Sequence, residues 1–325
     1  MIIKEIGGEF GLIRRIAELL PADRAEVVKG IGDDAAVLRI APEPSPYLLV
    51  TTDLLVENRH FRRTWSTPEQ IGMKAAECNM SDIAAMGGSP QWMFVSIVLP
   101  ADTEVEWVES LYRGMGRSCQ QHGVVLLGGD TTQGDVITIN ITLLGSVDPD
   151  HLCLRRHGRP GDLLMVTGTL GASAAAYALL SNGYRPSKYL LHKHLTPASR
   201  LDVSSRIAPF ANAMIDISDG LAAEVRHICA QSAAGARINS QNIPIHDDVK
   251  AAGRTLGIDP VTWALSGGED FELLFSVSPE RLAQLKAQGC VLHEVGRITD
   301  AEDGILLMTS SGEAIPLPGG FDHFE

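Results

Sequence analysis

Positive charge is what this chain is short of. Its 325 residues carry 27 Lys and Arg against 40 Asp and Glu, a formal net charge of −13 at pH 7. That balance argues against a general nucleic-acid binder, which would carry a basic face. It leaves anionic substrates open, provided that divalent cations occupy the acidic sites. Cysteine is scarce too. Cys78, Cys119, Cys153, Cys229 and Cys290 are far apart, odd in number and form no CxxC pair. They read as free thiols in a reducing compartment, not as a disulfide frame or a zinc site. No apolar run approaches the roughly 18 residues of a membrane span, and the opening MIIKEIGGEF lacks the apolar centre of a signal peptide. The expected setting is the cytoplasm, with no nucleic-acid partner and no membrane partner.

The common phosphoryl-transfer signatures are missing as well: there is no GxxxxGK[ST] loop and no HRD or DFG set. Gly30-Ile31-Gly32-Asp33-Asp34 begins like a dinucleotide fingerprint but has no third glycine. Its two carboxylates would repel a pyrophosphate unless a cation lay between. The ten histidines show no HExxH spacing, and no EF-hand loop is present.

What remains is an ordinary globular composition, 45% apolar and 21% charged, in a chain long enough for two domains. Strand-like runs fall at Tyr47–Thr52, Trp92–Leu99, Val124–Leu127 and Val136–Val147, the last alternating apolar and polar residues. Helical patterns cover about Pro68–Met86 and Val105–His122, with Pro68 suited to a first turn and Gly87-Gly88 to a stop. A polar joint at Asp148–Asp162 separates these from a second alternation of helices and strands. It holds helices at about 172–180, 198–210, 220–232 and 279–288, and strands at 163–167, 213–217, 271–277 and 291–298. The expectation is an α/β (α+β) protein with domains 1–148 and 149–325.

Six clusters set an aspartate beside glycine, serine or threonine. They are Gly32-Asp33-Asp34, Thr51-Thr52-Asp53, Ser81-Asp82, Gly128-Gly129-Asp130, Asp216-Ile217-Ser218-Asp219 and Gly267-Gly268-Glu269-Asp270. Carboxylates in weakly polar surroundings need a partner, because an unpaired charge is expensive to bury. With so few Lys or Arg nearby, a cation is the natural counter-charge, and small neighbours would let a phosphate reach the backbone. Each cluster also has a plain structural reading. Gly-Asp turns are common, Thr51-Thr52-Asp53 could close a strand, and Ser218 could cap a helix with Asp219 in its first turn. Asp82 is the most telling: it lies on an apolar helix and shares a face with Cys78 and Asn79. Gly128-Gly129-Asp130, directly after a strand, would offer bare N–H groups to a phosphate.

Taken together, GIGDDAAVL, TTDLLVENRHF, NMSDIAAMGGSP, LLGGDTTQGD, DISDGL, WALSGGEDFEL and GFDHF stand in the order and spacing of one family. The chain resembles the thiamine-monophosphate kinases, of the aminoimidazole-ribonucleotide-synthetase superfamily, over essentially its whole length. The resemblance implies an N-terminal α/β domain whose sheet pairs with that of a second subunit, plus a C-terminal α/β layered domain. It implies transfer of the ATP γ-phosphoryl group to thiamine monophosphate, with several Mg2+ ions. Carried over by position, the metal ligands would be Asp34, Thr51, Thr52, Asp53, Asp82, Asp130, Asp216 and Asp219, with Asp82 nearest the reacting groups. ATP would meet Gly129, Asp130, Arg155 and Ser218, and the acceptor His60, Glu269 and Phe321. Where other members carry a tyrosine near the nucleotide, Arg113 stands here beside Tyr112, and neither is assigned. Two relatives by fold, the selenophosphate synthetases and hydrogenase-maturation enzymes, use a cysteine near one terminus, which does not match Cys78 or Cys290. A non-catalytic ion-binding protein is the remaining alternative.

Overall fold

The computed structural model describes residues 3–19, 24–42 and 44–321; Asp322-His323-Phe324 of the C-terminal motif lie outside the described residues. Two sheets form in succession. The first half runs α1 (Gly8–Leu19), β1 (Val27–Lys29), β2 (Ala36–Leu38), β3 (Tyr47–Val56), α2 (Pro68–Ala85), β4 (Ser89–Leu99), α3 (Val105–His122), β5 (Val125–Gln133) and β6 (Thr138–Val147). Its strands lie in the order β1-β2-β3-β6-β4-β5. The pairs are antiparallel except β4 with β5, which run parallel because α3 carries the chain back between them.

Period-two alternation decides which face of this sheet is covered. Leu49, Leu55, Val95, Ile97, Ile139 and Ile141 point inward and are buried with Ile71, Met80 and Ile83 of α2 and Leu111 and Met115 of α3. Among the described residues no helix covers the opposite face, and Leu54 and Trp92 there remain 52% and 41% exposed. Thr67 and Gln70 form a reciprocal capping box at the start of α2, with Pro68 in the first turn as its sequence suggests. Gly72 and Gly114 let α2 and α3 nearly touch: a Cβ at either position would meet a backbone oxygen of the other helix at 2.0 Å.

The second half runs β7 (Leu163–Thr167), α4 (Ala172–Ser181), α5 (Lys188–Leu195), α6 (Leu201–Ile207), β8 (Ala213–Asp216), α7 (Leu221–Ser232) and β9 (Gly235–Asn239). It continues through α8 (Asp247–Leu256), α9 (Pro260–Ser266), β10 (Leu273–Val277), α10 (Pro279–Lys286), β11 (Leu292–Thr299), β12 (Ile305–Met308) and β13 (Ala314–Pro316). This sheet is ordered β13-β12-β9-β11-β7-β10-β8, and its central strands β7 and β10 are buried along their whole length. The two halves meet along α2, which is why that helix is buried nearly all round. Ser204 Oγ donates to the Ala84 carbonyl at 2.5 Å, and Glu77 accepts both the N–H and hydroxyl of Ser199 at 2.8 and 2.7 Å.

Three local expectations change. β3 continues to Val56, so Thr51-Thr52-Asp53 sits in mid-strand and not at a strand end; Leu54-Leu55-Val56 simply extends the alternation. β5 likewise runs through Gly128-Gly129-Asp130, with a register shift beside Met93 and Phe94. Ser218 caps nothing: α7 begins after Gly220, whose φ of 97° breaks the chain direction, and Asp219 precedes the helix.

Candidate active site

Three carboxylates converge where the halves meet. Asp34 comes from the loop before β2, Asp82 from the last turns of α2 and Asp216 from the end of β8. Each offers an oxygen within 4.8 Å of the others. Small hydroxyl residues hold two of them in place. Thr51 Oγ1, on the helix-facing side of β3, donates to Asp82 Oδ2, and Ser81 Oγ donates to Asp216 Oδ2 at 2.7 Å. Asp53 shares the helix-facing side with Thr51, two residues along the strand.

The electrostatics are those of a site short of positive charge. Burial raises the carboxyl of Asp216 to about 8; Asp34 and Asp53 add to the rise while Ser81 and Arg155 oppose it. Burial, then Asp34, raises Asp53 to about 6. Asp82 is pushed well above the usual carboxylate range by burial, then by Asp53, Asp216 and Asp34. Glu224 of α7, which no motif singled out, shifts the same way through burial and the nearby Asp219 and Asp216. Its Oε1 accepts the Asp219 N–H at 2.9 Å. Arg155 supplies the nearest positive charge, with Nη2 2.5 Å from Asp34 Oδ1 and its backbone N–H on Asp33 Oδ1 at 3.2 Å. Lys29 lies 3.3 Å from Asp33 Oδ2. Even so, Asp34 Oδ2 is buried without a hydrogen-bond partner. An orphaned buried carboxylate oxygen within an all-oxygen donor set fits a hard divalent cation such as Mg2+.

The residues expected at the acceptor end gather close by. Glu269 holds a positive φ of 67° and donates its N–H to the Ser218 carbonyl at 2.8 Å. Its carboxylate pairs with Lys74 Nζ at 2.7 Å and lies 3.5 Å from His194 Nδ1. The His60 carbonyl accepts from the same Lys74 at 2.9 Å, and its Nδ1 accepts the Val56 N–H. Phe321 is tied by its N–H to the Asp219 carbonyl at 3.1 Å and is 42% exposed. Lys74 and His194 escaped the sequence reading. A sign of Lys74 was available, since it precedes Cys78 and Asp82 by four and eight residues on one helical face.

Two expected ligands do not join the cluster within this chain. Alternation turns Thr52 to the open face, where its hydroxyl meets the Ile141 carbonyl at 3.1 Å and accepts from Asn140 at 3.0 Å. Asp130 is also on that face, on β5. Asp53 pairs across β6 and β4 with Gly129, so Asp130 is three strand spacings away, about 14 Å. Gly129 itself lies against β4, where a Cβ would fall 1.7 Å from the Val95 carbonyl oxygen. Asp270, from the sixth cluster, accepts the Gly171 and Ala172 N–H groups at 2.7 and 3.2 Å and so caps α4.

Residues 32–147 match the family model for the N-terminal domain of AIR synthase related proteins, and residues 159–308 the model for their C-terminal domain. The chain is 37% identical over 328 residues to a thiamine-monophosphate kinase of Aquifex aeolicus, covering all of both chains. It superposes with a TM-score of 0.88 and 36% identity on a solved structure described as AaThiL complexed with AMPPCP and TMP, covering 100% and 99% of the two chains. The hydrogenase maturation protein HypE in complex with ATP shares the fold at a TM-score of 0.71 and 20% identity, covering 98% and 97%.

Proposed function

The chain belongs to the thiamine-monophosphate kinase family, and on that premise we propose that it transfers the γ-phosphoryl group of ATP directly to thiamine monophosphate, giving thiamine diphosphate and ADP. The observation that carries this reading is the meeting of Asp34, Asp82 and Asp216 from three separate elements within 4.8 Å. Buried carboxylates held together at a loss imply a bound cation, and the chemistry explains the need for one. The acceptor is a phosphate monoester with its second pKa near 6, mostly ionised at pH 7. It is already a nucleophile, so the chain needs no general base, and the described residues around the cluster supply carboxylates in place of one. The obstacle is repulsion between two anions, about 4 kcal/mol per pair of unit charges 4 Å apart at an effective dielectric near 20.

Asp34, Asp53, Asp82 and Asp216 would hold Mg2+, with Asp219 and Glu224 flanking them. Mg2+ bound there supplies charge neutralisation at the transferring group. Thr51 and Ser81 orient Asp82 and Asp216. Arg155 is placed to turn from Asp34 to the ATP phosphates. Ser218 is assigned to the nucleotide, and His60, Glu269 and Phe321 to the acceptor; Gly129 and Asp130 would reach a nucleotide only where a second copy brings their open face to the site. In the transfer, an oxygen of the acceptor phosphate bonds to the γ-phosphorus as the bond to the β-bridging oxygen breaks, and ADP leaves with that electron pair. Domains 1–148 and 149–325 divide between the two sheets. The uncovered face carrying Leu54 and Trp92 suits pairing with a second copy as a homodimer, and the setting is the cytoplasm.

The decisive experiment offers purified protein Mg-ATP with thiamine monophosphate, with thiamine, or with no acceptor. Only the monophosphate should yield ADP and thiamine diphosphate in equal amounts. ADP formed equally without acceptor would refute the assignment.

A further inference from the structure

Arg155 is fastened by its backbone and held loosely by its side chain. Its N–H donates to Asp33 Oδ1 at 3.2 Å, and its carbonyl accepts from Ser232 Oγ at 3.3 Å. The guanidinium donates from Nη2 to Asp34, while its Nε is buried without a hydrogen-bond partner. When Asp34 turns to a cation, the side chain is released to swing about a fixed point. Where that point stands decides what the guanidinium can reach, and an error of about 1 Å in such a group can cost roughly 100-fold in rate.

The point is fixed from the second half of the molecule. The Asp33 side chain is fully buried, with Lys29 Nζ 3.3 Å from its Oδ2. Lys29, at the end of β1, donates to Gln231 Oε1 at 2.9 Å. The other end of the same amide, Nε2, donates to the Gly32 carbonyl. Gln231 and Ser232 are the last two residues of α7. One helix end therefore grips the turn before Asp34 with one side chain and the Arg155 segment with the next, where Ser232 Oγ also accepts the Gly158 N–H at 3.0 Å. An amide suits this place because it accepts and donates at once. A carboxylate would oppose the Gly32 carbonyl, and an ammonium would oppose Lys29. Asp34 depends less on the grip, since Ala35 and Val37 just after it are buried in the first core.

We infer that Gln231 is a positioning residue for phosphoryl transfer: through Lys29 and Asp33 it fixes the backbone from which Arg155 reaches the nucleotide phosphates. The inference rests on the reading of this site as a kinase site with Arg155 on ATP, and it gives a part to two residues, Lys29 and Gln231, that act through another.

The test measures binding of β,γ-methylene-ATP to the full chain in saturating Mg2+ by titration calorimetry. Gln231→Met keeps the length of the side chain and its helix preference. It should weaken binding about 5- to 30-fold, the effect expected when two hydrogen bonds that order a turn are removed. KM for thiamine monophosphate should stay within about twofold. In an Arg155→Met background the same substitution should change nucleotide affinity less than about twofold, because nothing is left to position. A merely structural role would make the two losses multiply, or raise both KM values in parallel. Either result overturns the inference, as does unchanged affinity in Gln231→Met. If Gln231→Met does not fold, Gln231→Ala carries the same comparison. If the losses do not multiply but no phosphoryl group reaches thiamine monophosphate in wild type, the reaction falls and the positioning role stands. If transfer occurs and the losses multiply, the role falls and the reaction stands.

Discussion

Replacing Asp216 with asparagine should stabilise the cation-free protein and abolish its response to Mg2+. Asp216 is buried and has two carboxylates with oxygens within 4.8 Å. Each such pair of full charges costs about 3.5 kcal/mol at an effective dielectric of 20. The folded protein limits that cost by keeping a proton on Asp216 up to about pH 8, whereas the unfolded carboxyl releases it at its ordinary value of 3.8. Holding a proton that the unfolded chain has given up means that stability falls as pH rises from about 4, with the loss complete above about 8. At pH 7 the deficit is on the order of 4 kcal/mol at about 1.4 kcal/mol per unit. Asparagine removes most of it while its carbonyl still accepts from Ser81; the lost attraction to Arg155 offsets part of the gain. Thermal melts in EDTA at pH 5 and pH 8 should show wild type declining with pH and Asp216→Asn staying flatter and melting higher at pH 8. Saturating Mg2+ should reverse the order, since a ligand at 100 times its Kd adds about 2.7 kcal/mol to the form that binds it. A folded variant that melts below wild type in EDTA at pH 8 would show that these carboxylates do not repel one another in a common site.

Other outcomes follow from the same geometry. Asp82→Asn should lower kcat by about 100-fold or more while the fold survives; wild-type turnover would remove Asp82 from the reaction. Phe321→Ala should raise KM for thiamine monophosphate about 3- to 10-fold through lost ring contact, and an unchanged KM would take Phe321 out of the acceptor pocket. Gly129→Ala should force β5 off β4 and cost several kcal/mol, read as a lower melting temperature; an unaltered melt would contradict the register. Leu54→Arg on the uncovered sheet face should give monomers by sedimentation, and a dimer that persists would place the interface elsewhere.

The sequence made the long elements legible and the short ones obscure, for a physical reason. α2 announces itself through Pro68 and a Gly-Gly stop, and β6 through strict alternation. β1, β2 and β13 have three residues each, too few for any period to register, and α5, α8 and α9 bury their faces against neighbouring helices that no local pattern identifies. The carboxylates were visible as types, but alternation sorted them. Residues 51 and 53 face α2 while 52 faces away, so a tripeptide read as one motif serves two sides of a sheet. Asp270 shows the reverse limit: beside Glu269 in sequence, it spends its carboxylate on the start of α4. His194 could not be found without the fold, because its partners Glu269 and Trp65 are remote in the chain.

Asp34 and Asp82 belong to the first half of the molecule and Asp216 to the second, so whatever occupies the space among them fastens the two halves like a clasp. Pulling the halves apart would dismantle the ion's coordination before it disturbed either sheet, and emptying the clasp would leave like charges pressing the joint open. Divalent-ion concentration would then govern how often the interior is uncovered to solvent, quite apart from its part in turnover.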